Sequence, residues 1–134
     1  MTLEDCIKLE QKRNRGKAAV SEHALQTTCV RWFRYVYPHN IIISIPNGAK
    51  RSVYERRIAL EEGLTAGVPD LFIPHPVGAY HGLWIEMKNG KAGRLTDSQK
   101  QMITRLPNED YYVEVCHTID EFVKVVEYYM NARF

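Results

Sequence analysis

The chain predicts an α/β fold built on a mixed sheet. Helix-like and strand-like stretches alternate in the order helix, strand, helix, strand, strand, helix, strand, helix, which suits helices packed against one sheet. Two strand-like runs, 67–73 and 83–88, are apolar, rich in β-branched and aromatic residues, and bounded by Pro, Gly or Asn. The segment between them, His75 to Gly82, has the composition of a hairpin connection. At 134 residues, 45% hydrophobic and 25% charged, the chain is one domain's length and can bury a single core.

Residues 2–13 suit a short helix with Thr2 as N-cap, ending in the basic run 12–17. We read 1–20 as an arm and 21–134 as the domain proper. The arm is either a solvated tail or a phosphate contact, since the latter needs only positive charge near a duplex. Ser21 then caps a helix running to about Tyr37, before Pro38, with Leu25, Cys29, Phe33 and Val36 as its apolar stripe. Glu22 lies on that stripe. Either it favours the helix dipole from the first turn and reaches water, or it points at a metal site. Gln26, one turn on, faces the same way.

Residues 40–46 read as a strand, apolar enough to be central, and Asn47-Gly48 follows as a turn. Lys50 opens a helix that continues to Glu62 and is capped by Gly63. Its start holds four cations in eight residues, Lys50, Arg51, Arg56 and Arg57, with Tyr54 among them. That pattern suits a phosphate backbone; the alternative is a solvated face partly neutralised by Glu55, Glu61 and Glu62. Gly67 is expected where backbones approach closely. His75 and His81 lack the third ligand that a metal site needs and are read as loop residues. The loop 89–95 adds Lys91 and Arg94 as candidate phosphate ligands. Thr96-x-x-Gln99 has the form of a capping box, with Lys100 next to it. A strand at 111–116 and a second capping box, Thr118-x-x-Glu121, lead into a last helix. The apolar face of that helix, Phe122, Val125, Val126 and Tyr129, is assigned to the core or to a subunit contact.

Asp70, Glu86 and Lys88 stand out because they interrupt apolar strands, and charges are rarely buried unless paired or metal-bound. A hairpin symmetric about Gly78 sets Asp70 opposite Glu86. Directly opposed residues have Cβ atoms roughly 5 Å apart, and like charges there repel. A divalent cation removes that repulsion, and hard oxygen ligands suit magnesium. Strand period puts Lys88 on the same face as Glu86. The plainer alternative is a turn-ending Asp70 beside a solvated Glu86–Lys88 pair.

Pro69-Asp70 with Glu86-Met87-Lys88 resembles the PD-(D/E)xK nuclease signature. The fuller run, 67–71, 84–88 and 93–99 including Gln99, is similar to the VRR-NUC family, the virus-type replication–repair nucleases, over roughly residues 21–126. The resemblance implies a restriction-endonuclease-like sandwich, with a mixed central sheet flanked by helices. It implies a metal-dependent DNA endonuclease with Asp70, Glu86, Lys88 and Gln99 as catalytic residues. One Mg²⁺ or Mn²⁺ would be held by Asp70, Glu86, the backbone carbonyl of Met87 and Glu22. It sets Asn47 close to the active site, as a DNA contact or as simple turn chemistry. It also implies a homodimer acting on branched or Holliday-junction-like DNA in replication, recombination or repair. The rivals are a non-catalytic nucleic-acid-binding module on the same fold, an RNA nuclease, and a structural subunit of a larger complex.

A net charge of +2 says little about partners. Cys6, Cys29 and Cys116 are scattered and odd in number, which argues for reduced thiols and against a disulfide framework or zinc site. Glu4, Asp5 and Lys8 interrupt the first apolar residues, so no signal peptide is expected, and no apolar run approaches a membrane span. The expected location is the cytoplasm of a bacterium or a virus-infected host cell.

Overall fold

The structure is a computed structural model that describes residues 2–13, 21–46, 52–90 and 93–132. The elements are α1 (Leu3–Arg13), α2 (Glu22–Val36), β1 (Ile43–Ser44), α3 (Val53–Glu61), β2 (Leu71–Ile73), β3 (Leu83–Met87), α4 (Asp97–Arg105), a 3₁₀ turn (Leu106–Glu109), β4 (Tyr112–Cys116) and α5 (Ile119–Asn131). The four strands form one mixed sheet in the order β1-β2-β3-β4. The first three run antiparallel, and β4 lies parallel to β3 after the crossover through α4.

Strand period divides the sheet into two unlike faces. Leu71, Ile73, Leu83, Ile85, Met87 and Cys116 are fully buried in the core. Against them pack Leu25, Cys29, Trp32 and Phe33 of α2 and Phe122, Val123, Val126 and Tyr129 of α5. Tyr129 also donates a hydrogen bond to the His75 carbonyl, 2.7 Å. The other face carries Phe72 stacked on Trp84, ring centroids 4.3 Å apart, with Tyr111 edge-on to both. Trp84 Nε1 is buried there without a hydrogen-bond partner among the described residues. Glu86 and Lys88 follow Trp84 on this same face. Helix α1, closed by reciprocal Thr2–Asp5 hydrogen bonds, packs on α2 and α5 and rests Leu3 and Ile7 against the core.

Local chemistry sets most boundaries. Ser21, Ser52, Thr96 and Thr118 each accept a backbone N–H with the side chain at a helix start. Ser52 is why α3 begins at Val53 and not at Lys50. Lys50 and Arg51 fall outside the described residues, as do Asn47 and Lys91. Strand β1 is the sheet's edge, not its centre. Its apolar run buries Ile42 alone, whereas Ile41 is 59% and Ile43 44% exposed. A continuous apolar run does not require burial on both sides. In α2 the buried stripe runs through Leu25, Thr28, Cys29, Trp32 and Phe33, and Val36 is exposed at the helix end. The apolar side of α5 is spent on the core. No helix among the described residues is long and apolar enough to cross a membrane.

Candidate active site

The site forms at the sheet end opposite the hairpin loop. Strands β2 and β3 pair Leu71 with Ile85, Phe72 with Trp84 and Ile73 with Leu83. This register carries Asp70, just before β2, across from Glu86. The Asp70 backbone carbonyl accepts from Ile45 N–H at 2.9 Å. Its side-chain Oδ2 accepts from Met87 N–H at 2.8 Å, extending the ladder by one rung through a carboxylate. Lys88 N–H donates to the Cys116 carbonyl at 2.9 Å. By strand alternation, the Met87 carbonyl therefore points away from β4, to the edge that bears Asp70.

Glu86 is 2% exposed. Its Oε1 lies 3.6 Å from Lys88 Nζ and accepts from Gln99 Nε2 at 2.9 Å. Burial pushes the Glu86 carboxyl up to about 8. The nearby charge of Asp70 and a hydrogen bond with it push the same way, and the Lys88 cation pulls against them. Two acids facing each other with one amine beside them hold a proton where a cation would otherwise balance the charge.

Gln99 reaches this cluster because α4 starts against it. Gln99 Oε1 accepts from Thr96 N–H at 2.9 Å while Thr96 Oγ1 accepts from Gln99 N–H at 3.2 Å, so the capping box is complete. The remaining amide protons of the same side chain face Glu86. Gly67 fixes the start of α4 from the other side. Its φ of +86° is left-handed, and a Cβ there would stand 2.2 Å from the Ser98 carbonyl oxygen. Only glycine lets these two backbones meet.

The cluster opens into a cleft of about 480 Å³ lined by Glu22, His23, Gln26, Ser44, Ile45, Pro46, Asp70, Glu86, Lys88 and Gln99. Glu22 thus shares the cleft with Asp70 and Glu86. Even so, among the described residues no three His, Cys, Asp or Glu side chains gather closely enough to hold a metal. The donor chemistry still fits a hard divalent ion. Such an ion keeps several waters and takes one or two carboxylates plus substrate phosphate, and two carboxylates at odds with each other are what the site offers.

The model of the VRR-NUC domain matches residues 10–120. The chain belongs to the VRR-NUC family. A solved VRR-NUC domain protein is similar at 30% identity, covering 84% of this chain and 89% of its own, with a TM-score of 0.70. A second, a VRR-NUC domain at 18% identity, covers 81% of this chain and 96% of its own with a TM-score of 0.55, which shows the fold alone. No curated protein matches the chain. This VRR-NUC domain is of nuclease type, and its substrate is accordingly a nucleic acid.

Within the VRR-NUC domain the candidate cations part company. Arg56 lines a second cavity, which also touches Asp70. Arg57, its neighbour in sequence, lies over the Tyr54 ring at 5.5 Å and 4.0 Å from Glu61. Lys100 lies apart, in a hollow with Gln101, Thr104 and Arg105, and Arg94 is exposed on the loop before α4. Asn40 Nδ2 lies 3.3 Å from His75 Nδ1, and His81 stands 3.9 Å from Asp110. His23 lines the cleft and Ser98 the second cavity, and neither stands out in the sequence. Each sits in the first turn of a helix, beside a residue already singled out, and that adjacency was the available signal.

Proposed function

We propose that this VRR-NUC domain is a metal-dependent DNA endonuclease of the PD-(D/E)xK kind. The observation that carries the reading is the convergence of Asp70, Glu86, Lys88 and Gln99 at one mouth of the sheet. Asp70 and Glu86 would hold Mg²⁺ or Mn²⁺, with the Met87 carbonyl and Glu22 at the same cleft as further oxygen ligands. When bound, the ion supplies charge for the scissile phosphate and lowers the pKa of a water. Lys88, 12% exposed and held by Glu86, presents its amine to the attacking water or to the charge that builds on phosphorus. Gln99 keeps the Glu86 carboxylate turned into the cleft. Arg56, Arg94 and Lys100 supply phosphate contacts, as do Asn47, Lys50, Arg51 and Lys91.

One such site cuts one strand. A homodimer with two sites would suit branched or junction DNA in replication, recombination or repair. Phe122, Val126 and Tyr129 of α5 are buried in the core, so a partner face would lie mainly elsewhere. The test is nicking of supercoiled and four-way-junction DNA with Mg²⁺, Mn²⁺ or EDTA, beside Lys88→Ala. We expect cleavage that requires metal and falls by about 10²–10³-fold in the variant. Cleavage that survives both EDTA and Lys88→Ala removes the proposed chemistry. An RNA strand cut in preference to DNA redirects the substrate.

A further inference from the structure

Beside the catalytic cleft lies a second hollow of about 290 Å³, bounded by α3, the loop that carries Gly67, the end of β1 and the start of α4. The two cavities meet along Ile45, Pro46, Asp70 and Gln99, which line both. The floor of the second hollow is aliphatic. Leu60 and Leu64 face it, and Leu60 remains 43% exposed although it is a large apolar side chain. Its polar lining includes Arg56 and Ser98. The Gly67–Ser98 backbone contact holds the loop directly against the first turn of α4, so one wall of the hollow is rigidly placed.

We infer that this hollow receives the unpaired nucleoside next to the scissile phosphate, with Arg56 on the adjoining phosphate. The inference rests on the nuclease reading above and names its substrate class. The occupant must be tethered to a phosphate in the catalytic cleft, because the hollow opens onto Asp70 and Gln99. It must be small and have both an apolar face and polar edges, because the volume lies at the low end of ligand pockets and the lining sets Leu60 and Leu64 beside Thr65, Ser98 and Gln99. It is suited to adjoin a phosphate, because Arg56 shares the lining, with Asp70 at the boundary to the cleft where the metal would offset its charge. A nucleoside within a DNA strand meets all three conditions. A paired and stacked base cannot enter without extrusion, which costs least where the base is already unpaired. The domain therefore favours branch points, flaps and bulges over continuous duplex. Among the described residues the lining has no aromatic ring for a base to stack on.

The test uses forked DNA with one unpaired 2-aminopurine at the branch. In EDTA, binding to the wild-type domain should raise its emission at least about twofold, because the base leaves its stack for an aliphatic site. Leu64→Trp fills the hollow and should abolish the rise. Leu60→Glu, at an exposed helix position, should do the same without a demand on packing. With metal, wild type should cut the fork at least about tenfold faster than the same fork with an abasic residue at that position. A flat emission from bound wild type, or equal cutting of the two forks, overturns the inference and leaves the nuclease reading standing. An emission rise with no cutting of any DNA removes the nuclease reading and keeps the pocket.

Discussion

Replacing Glu86 with glutamine tests the electrostatics of the site without any substrate. Glu86 has an ordinary carboxyl pKa of 4.5, and its surroundings push it up to about 8. The folded domain therefore keeps a proton that the unfolded chain gives up between those two values. The stability contributed by that proton is fully present below pH 4.5, falls as pH rises, and is gone above about 8. At about 1.4 kcal/mol per pH unit, the span amounts to about 5 kcal/mol. The glutamine side chain never ionises, keeps nearly the same volume, and can still face Gln99. In EDTA the stability of Glu86→Gln minus that of wild type should be about 1 kcal/mol at pH 5 and should climb to about 3 kcal/mol or more at pH 8. Urea unfolding followed by the fluorescence of Trp32 and Trp84 at each pH gives this difference, and the subtraction removes the titrating groups remote from Glu86, leaving it and its partners Asp70 and Lys88. A difference that is flat, or that makes the variant the weaker protein at pH 8, refutes the facing-acid arrangement.

Asp70→Asn should raise the EDTA stability at pH 8 by about 1–2 kcal/mol while abolishing cleavage, because the asparagine still accepts from Met87 N–H but no longer repels Glu86; a lower melting temperature in EDTA counts against this. Gly67→Ala should cost about 3 kcal/mol, since the left-handed φ and the approach to the Ser98 carbonyl act together, and thermal unfolding measures it. Gln99→Glu preserves the capping box but loses the donor to Glu86, so circular dichroism should be unchanged while cleavage falls by about tenfold or more. Gln99→Ala should lower both, and wild-type activity in Gln99→Glu would show that the Glu86 contact is idle.

The centre of the site was legible because its logic is local. Hairpin symmetry about Gly78 gives the observed register, strand period gives the shared face of Glu86 and Lys88, and Thr96-x-x-Gln99 spells out its own cap. Gly67 was readable as a place of close approach, although the Ser98 backbone it meets is 31 positions away in sequence and nothing local names it. What stayed hidden depends on packing at a distance. The isoleucines of 41–45 look the same in sequence whether a strand is central or at an edge. Arg56 and Arg57 are adjacent and chemically identical, yet one turns to the second hollow and the other to Tyr54. Glu22 reaches the common cleft without closing a three-acid cluster, and only the placement of α2 against the sheet decides that distance.

Helix α4 buries none of its side chains completely. Such an element is drawn from the low end of local stability and opens ahead of the core. Its first turn is also the anchorage of Gln99, and through it of Glu86. Warming should thus end the proposed cleavage by fraying one short helix, reversibly and several degrees before the sheet and α5 melt. Thermal inactivation and unfolding would then be two separate events, with amide exchange in residues 97–105 tracking the first.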